Sequence, residues 1–232
     1  MITLYQFPAA FAVPNISPYC LKLETFLRLT GQRYEVKTLS DPRRGPKGKL
    51  PFVELEGEVI ADSAIVLRHL AKRFKLDLDS HLDAAGLGRS VAITRLCDEH
   101  LVHILVYFRW VDDKGWQQIK PALFGRLPAT LRWVVPALMQ RRVRGSLHSQ
   151  GLGRHSRDEL LAFAREDLQA LHDLLGAADY FGGEQPCSAD AAAYGVLANL
   201  IFCTLETPLN RMAREFPTLV AYCERLRAAY WA

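Results

Sequence analysis

Two patterns of apolar residues divide the chain into two parts. In the first part, short runs of alternating apolar and polar residues, typical of β-strands, lie between runs with the three-and-four spacing of helices. From about residue 84 onward only the helical pattern remains. We therefore predict an α/β domain over residues 1–76 and an all-helical domain over residues 84–232.

The first part has the predicted order β-α-β-loop-β-β-α. Cys20, Leu23 and Leu27 mark one face of a helix that stops at Gly31, and Pro51 opens the third strand. This order indicates a thioredoxin-like domain, in which a right-handed crossover makes the first two strands parallel. The further predicted elements of this part are strands at residues 2–7 and 33–39, a hairpin at 50–61 and a helix at 63–74.

The second part shows helical patterns alone. Ser156 and Glu159 form a capping box before one of these helices, since each side chain can bond the other residue's backbone N–H. The helices are predicted at residues 87–110, 128–142, 157–175, 189–204 and 217–230.

Composition narrows the class of protein. Hydrophobic residues make up 50% and charged residues 23% of the 232 residues, with a formal charge of +4, which is too dispersed to indicate nucleic acid. The five cysteines form no C-x-x-C pair, so we expect neither a disulfide framework nor a zinc site. We expect the protein in a reducing compartment. The start has no leader pattern and no run is long enough to span a membrane, so we expect a cytoplasmic protein with no membrane partner.

Ser17 is the first candidate for chemistry. Serine followed by Pro18 is a favoured helix start, so Ser17 has a structural interpretation as an N-cap. A helix N-terminus also attracts a thiolate, and a serine hydroxyl that donates to a thiol sulfur lowers the pKa of that thiol. Cys20 is the alternative nucleophile, although its register with Leu23 and Leu27 predicts a buried, inert thiol.

Two further segments offer backbone and cap groups. In a thioredoxin-like domain Pro51 is expected to be cis, so that the backbone of Leu50 faces the start of the first helix and pairs with a peptide-like ligand. Asp62 and Ser63 open the next helix as a cap, or together hold the zwitterionic end of an amino acid.

Three weaker signals have simpler structural interpretations. The basic cluster from Arg141 to Arg154 fits a solvated helix end, and the acidic run before residue 84 lacks calcium-loop spacing, so no metal is expected. Tyr107 and Trp110 are candidates for an apolar substrate pocket, or for core or dimer contacts.

The chain resembles the glutathione S-transferase superfamily, in the branch of the failed axon connections proteins and the metaxins. The resemblance runs over nearly the whole chain, and one departure is Cys187, where the superfamily usually has Ser or Thr three residues before Asp190. The segments that carry it are "SPYCLKLETFLRLTG", "GKLPFVELEGEVIADSAIVLRHL", "GLGRHSRDEL", "SADAAAYGVLANLIF" and "LVAYCERLRAAYW".

This resemblance implies glutathione as co-substrate, a small hydrophobic electrophile held by the helical domain, and a homodimer. Ser17 then supports the glutathione thiolate, and Lys49 is a candidate partner for the glycyl carboxylate. The remaining implied glutathione-binding residues are Leu50, Pro51, Asp62 and Ser63.

Three functions follow as hypotheses. The first is a serine-type glutathione S-transferase, and the second is a non-catalytic scaffold with the same fold. The third is a glutathione-dependent thiol oxidoreductase that uses Cys20.

Overall fold

A computed structural model describes residues 1–125 and 127–231. Its N-terminal part is a four-stranded sheet in the order β2-β1-β3-β4, with β1 parallel to β2 and the other two pairs antiparallel. The predicted thioredoxin-like arrangement is therefore confirmed. The elements of this part are β1 (Ile2–Gln6), α1 (Pro18–Leu29), β2 (Tyr34–Thr38), β3 (Phe52–Leu55), β4 (Glu58–Ala61) and α2 (Ser63–Phe74).

The rest of the described chain is helical, as predicted. A π-helical segment, Leu96–Leu101, joins two of the helices into one long rod, and Asp83 caps the start of that rod. The helices are α3 (Ala84–Arg95), α4 (Val102–Trp110), α5 (Asp113–Phe124), α6 (Val134–Gln150), α7 (Arg157–Leu175), α8 (Ser188–Ile201), α9 (Pro208–Arg214) and α10 (Pro217–Tyr230). None of the helices described has the length and apolarity needed to cross a bilayer.

Helix α8 lies at the centre of the molecule. Every residue from Ala189 to Ile201 is buried, and α8 packs along α1 of the N-terminal part. A Cβ atom at Gly195 would come within 2.6 Å of the Pro18 carbonyl oxygen, so this crossing requires glycine. The start of α1 is thereby held against the helical part.

Several sequence predictions need correction. Helices α5 and α9 were not predicted, and α6 begins and ends about one to two turns later than the expected range of 128–142. The predicted capping box of α7 is confirmed, because Glu159 N–H donates to Ser156 Oγ and Ser156 N–H donates to Glu159.

The acidic run before α3 has structural roles. Asp79 accepts from the Ser188 N–H at 2.6 Å and so caps α8, while Asp83 accepts from the Gly86 N–H at 2.6 Å. A ring nitrogen of His81 lies 3.1 Å from the Gly182 carbonyl oxygen. These contacts hold the segment between α2 and α3 against the helical part.

Candidate functional site

One cavity brings together the five residues predicted to bind glutathione. It has a volume of about 440 Å³ and lies between the N-terminal part and the π-helical segment. Lys49, Leu50, Pro51, Asp62 and Ser63 all line it. The other lining residues, which the sequence analysis did not identify, are Tyr19, Lys47, Ala64, Ile65, Arg68, Arg95, Asp98, Glu99 and His103.

The Leu50 backbone stands free at this cavity. The peptide bond between Leu50 and Pro51 is cis, as predicted, and β3 begins only at Phe52. Within residues 1–125 and 127–231, neither the N–H nor the C=O of Leu50 has a backbone partner. Both groups are therefore available to an extended peptide ligand.

Asp62 and Ser63 mark the start of α2. Asp62 Oδ1 accepts from the N–H groups of Ala64 and Ile65 at 3.0 and 3.1 Å, and these bonds hold Asp62 at a φ of 86°. Only one carboxylate oxygen is used in this cap, so Oδ2 can accept from an ammonium group. Ser63 is buried beside it at the N-terminus of the helix, where a carboxylate is favoured.

The cavity presents an excess of cations over its free carboxylates. Its positive groups are Lys47, Lys49, Arg68 and Arg95, of which Arg95 pairs with the lining carboxylate of Glu99 at 3.5 Å. The carboxylate of Asp98 pairs with the buried Lys22. Burial raises the pKa of the Asp98 carboxyl group although the Lys22 ammonium opposes this change. The remaining charge suits a small ligand with two carboxylates and one ammonium group.

Ser17 is the N-cap of α1, as its structural interpretation predicted. Its Oγ accepts from the Cys20 N–H at 3.4 Å, and the Ser17 N–H donates to Asn15 Oδ1 at 3.0 Å. Within the described residues the Ser17 hydroxyl donates no hydrogen bond to a nitrogen or oxygen acceptor, and its neighbouring acceptor is the Cys20 sulfur. Ser17 is half-buried and is not a lining residue of the 440 Å³ cavity, although Tyr19 of the same helix turn is.

Tyr19 lines the cavity but its donor is already used. Its hydroxyl donates to the Asp98 carbonyl oxygen at 2.7 Å. Burial, with the nearby Asp98 charge, also raises the pKa of Tyr19. Tyr19 therefore ties α1 to the π-helical segment and has no free hydrogen for a thiolate.

Cys20 is inert in this structure. Its side chain is fully buried against Leu50, Phe52 and Ala61. Burial raises the pKa of the Cys20 thiol to about 12, although the bond with Ser17 opposes this change. A thiol that is neither exposed nor ionised at neutral pH argues against the oxidoreductase hypothesis.

A buried polar network, which the sequence analysis did not predict, fixes the turn before Ser17. Arg109, fully buried, donates to the Ile16 carbonyl oxygen at 2.6 Å and to Asn199 Oδ1 at 2.9 Å. Asn199 donates to the Asn15 carbonyl oxygen at 3.1 Å. Burial lowers the pKa of Arg109 to about 10, so the guanidinium stays charged at neutral pH. The one signal in the sequence was the polar Asn199 inside an apolar run.

Tyr107 and Trp110 lie apart from this cavity. Tyr107 lines a second, open groove of about 870 Å³ together with Arg141 and Arg144 of the basic cluster. Trp110 lines neither cavity and packs on Trp116, with ring centroids 5.7 Å apart. The expectation that both line a co-substrate pocket remains a prediction.

The comparisons with known proteins agree with this architecture. The family model described as "Glutathione S-transferase N-terminal domain" matches residues 18–115, and that described as "Glutathione S-transferase, C-terminal domain" matches residues 164–226. A glutathione S-transferase from Methylobacterium radiotolerans, solved with glutathione sulfonate, superposes with a TM-score of 0.59 at 20% identity. That superposition covers 98% of this chain and 90% of the other.

Some of the similar proteins are named as transferases and others are not. Failed axon connections of Drosophila melanogaster is 36% identical over 98% of this chain, which spans 57% of that protein. Metaxin-1 of Macaca fascicularis is 29% identical over 98% of this chain and 74% of its own length. The isoprene-epoxide glutathione S-transferase of a Rhodococcus species is 31% identical over 99% of both chains. By its two domains, its fold and these relatives, the chain belongs to the glutathione S-transferase superfamily.

Proposed function

We propose that this protein binds glutathione and activates its thiol for attack on a small hydrophobic electrophile. The observation that carries the proposal is the 440 Å³ cavity, where Lys49, Leu50, Pro51, Asp62 and Ser63 lie together. The free backbone of Leu50 pairs with the cysteinyl residue of glutathione, and Lys49 binds the glycyl carboxylate. Asp62 and Ser63 bind the ammonium and carboxylate groups of the γ-glutamyl end.

Ser17 stabilises the glutathione thiolate in this proposal. Its hydroxyl hydrogen, whose neighbouring acceptor in the described residues is the Cys20 sulfur, can turn to a ligand sulfur, and the N-terminus of α1 adds partial positive charge. A hydrogen bond donated to a charged acceptor contributes about 1.5–3 kcal/mol. This free energy lowers the pKa of a thiol by about 1 or more. The proposal requires Ser17 to reach the ligand sulfur from the rim, because Ser17 does not line the cavity itself.

The Rhodococcus relative suggests a first electrophile to test, a small aliphatic epoxide. The thiolate would attack one ring carbon, forming a C–S bond while the C–O bond breaks, and the alkoxide would take a proton from water.

A spectroscopic titration tests the role of Ser17. The ultraviolet absorbance of glutathione thiolate would be followed against pH with wild-type protein, Ser17→Ala, Ser17→Asp and Tyr19→Phe. Wild-type protein and Tyr19→Phe are expected to bind glutathione with a lowered thiol pKa. Ser17→Ala should hold about tenfold less thiolate at neutral pH, and Ser17→Asp still less, because aspartate keeps the cap but repels the thiolate.

A non-catalytic role is the second candidate. It is supported by the position of Ser17 outside the cavity lining and by its complete structural explanation as a cap. Glutathione binding with an unchanged thiol pKa in all four proteins would favour this role. Absence of binding to wild-type protein would reject both the transferase and the glutathione site.

A homodimer and a cytoplasmic location stay predictions. Exposed apolar side chains on β4, α2 and α3, among them Val59, Ile65 and Val91, offer a surface for self-association. Sedimentation equilibrium of the wild-type protein would measure the oligomeric state, with a monomer over the whole concentration range as the contrary result.

A further inference from the structure

The positive charge of this protein is concentrated in one segment, which corrects the expectation that it is dispersed along the chain. Residues 114–150 contain seven Lys or Arg residues and no Asp or Glu. Because the whole chain has 29 Lys and Arg against 25 Asp and Glu, this segment accounts for all of the formal charge of +4. The segment comprises α5, the turn after it and α6, apart from the first residue of α5.

Of these seven cations, the six that lie in the described residues have no carboxylate partner there. Across residues 1–125 and 127–231, no salt bridge involves a Lys or Arg of this segment. Arg132 donates to the Leu127 carbonyl oxygen, and the ammonium of Lys120 lies 5.6 Å from the ring centroid of Trp133. Arg141 and Arg142 are exposed on the next turns of α6.

Large apolar side chains lie exposed among these cations. Trp133 is 80% exposed, Leu138 64% and Val134 62%, and Leu123 and Leu131 are exposed nearby in the chain. Val134, Leu138 and Arg141 follow the i, i+4, i+7 spacing of one helix face. A face that continues from valine and leucine into arginine is not explained by solvation of a charged helix end alone.

We propose that this face, the α5–α6 surface, docks on an anionic lipid bilayer. We define it by its apolar residues Leu123, Leu131, Trp133, Val134 and Leu138 and its cations Lys120, Arg132, Arg141 and Arg142. Tryptophan and leucine insert at the level of the headgroups, while the cations pair with lipid phosphate and carboxylate groups.

Charge selects this occupant over the alternatives. A second copy of the chain on a two-fold axis would bring two strongly basic surfaces together, which is repulsive. Nucleic acid would engage the arginines but leaves the aliphatic side chains of Val134 and Leu138 in water. A bilayer supplies both the anions and the apolar layer, and docking revises the expectation that the protein has no membrane partner.

Vesicle sedimentation with the whole protein tests the proposal. Vesicles of equimolar phosphatidylcholine and phosphatidylserine would be compared with vesicles of phosphatidylcholine alone, at low and at high salt. Wild-type protein should bind the mixed vesicles, more weakly as salt rises. Arg141→Gln/Arg142→Gln should bind about 30-fold more weakly, since two surface cations are lost.

A second pair of substitutions separates insertion from charge. Trp133→Ser/Leu138→Ser should also weaken binding at least tenfold and should abolish the blue shift of tryptophan fluorescence on vesicle binding. Leu174→Ser and Arg33→Gln are matched controls, because they remove an exposed leucine and an exposed arginine elsewhere. Both controls should bind as the wild type does.

Three results would overturn the proposal. The first is no binding of wild-type protein to the mixed vesicles. The second is binding that depends on the arginines but not on Trp133 and Leu138, which would indicate a soluble polyanion. The third is a wild-type dimer that Trp133→Ser/Leu138→Ser dissociates, which would assign the surface to a second copy.

Discussion

The hydroxyl group of Ser17 accepts a hydrogen bond in the fold, and its own hydrogen has the Cys20 sulfur as a neighbouring acceptor. It accepts from the Cys20 N–H, and this cap is what the local sequence predicted. Ser17→Ala should therefore lower the free energy of unfolding by about 1 kcal/mol. Ser17→Asp should keep nearly the wild-type value, since aspartate is an equally good cap.

Urea unfolding of the two variants measures this difference. Wild-type stability in both variants would show that the cap bond at 3.4 Å contributes nothing, and equal losses in both would place the loss outside the cap. Together with the thiol titration, the pair separates the stability role of Ser17 from its proposed chemistry.

Cys20 makes the stability sensitive to alkaline pH. Its pKa is raised by burial from 9.0 to about 12, so the native thiol keeps its proton while the unfolded thiol loses it above pH 9.0. The contribution of the protonated Cys20 thiol to the free energy of unfolding is complete below pH 9.0. It falls by about 1.4 kcal/mol for each pH unit above that value.

Urea unfolding of wild-type protein and Cys20→Ala at a series of alkaline pH values checks this. The difference in free energy of unfolding between the two should shrink as pH rises above 9.0. A constant difference would mean that Cys20 ionises in the native protein, and would restore the oxidoreductase hypothesis.

Helices whose ends carry local signals were predicted well, and those defined by tertiary contacts were not. The capping box of α7 lies in the sequence, so its start at Arg157 was predicted correctly. Helix α5 contains Gly115 and Pro121, which locally oppose a helix. A Cβ at Gly115 would come within 1.8 Å of the Phe108 carbonyl oxygen, so packing on α4 selects glycine there.

The same distinction applies to the site. Serine, proline and the Asp-Ser pair carry recognisable local signals. Arg109 and Asn199 reach the carbonyl oxygens of the turn before α1 only because α4 and α8 pack on that turn. A single sequence does not indicate which buried polar residues become partners. The network could therefore not be derived from spacing.

The network of α4 and α8 gives an element-scale prediction. Asn199→Ala leaves Arg109 and the Asn15 carbonyl group short of partners, so the free energy of unfolding should fall by about 2–3 kcal/mol. Asn199→Asp keeps an acceptor for Arg109 but loses the donor to the carbonyl oxygens of Asn15 and Gly195, so it removes the bond to the turn before Ser17 while Arg109 keeps a partner.

Unfolding and glutathione titration of both variants would be compared. In Asn199→Asp the pKa of the bound glutathione thiol should rise above its wild-type value, because the turn before Ser17 loses a hydrogen bond. An unchanged thiol pKa in both variants would show that the network only stabilises the fold.

The start of α8 is capped differently from the usual serine or threonine. Asp190 accepts from the Cys187 N–H at 2.8 Å, the Phe181 N–H and the Tyr222 hydroxyl, while Asp79 caps Ser188. The thiol of Cys187 faces the Asp190 N–H in a capping box and lies 3.9 Å from the Ser90 hydroxyl. Asp79 supplies an additional cap through the Ser188 N–H.

Cys187→Ser is therefore expected to stabilise the protein by about 1 kcal/mol, because a hydroxyl caps better than a thiol. Thermal unfolding of Cys187→Ser and of Cys187→Ala, which has neither group, measures this. A lower stability of Cys187→Ser than of Cys187→Ala would show that burying the hydroxyl outweighs the cap.

At the scale of the whole molecule, one buried ion pair joins the two parts across the proposed site. Lys22 of α1 and Asp98 of the π-helical segment are both almost fully buried, and Asp98 also lines the cavity. Losing Asp98 leaves a buried ammonium without a counterion, so Asp98→Leu should cost about 3–5 kcal/mol. Lys22→Met/Asp98→Leu should recover most of that loss, because a matched apolar pair needs no counterion.

The double variant also tests whether the charge of the Lys22–Asp98 pair affects glutathione binding. If the pair only joins the two parts, Lys22→Met/Asp98→Leu should unfold in one transition and bind glutathione with wild-type affinity in a calorimetric titration. If Asp98 also orders Tyr19 and the cavity wall, affinity should fall while stability is restored. Stability that the second substitution does not restore would contradict the pair as the cause, and would place the effect of Asp98 in its packing around the π-helical turn.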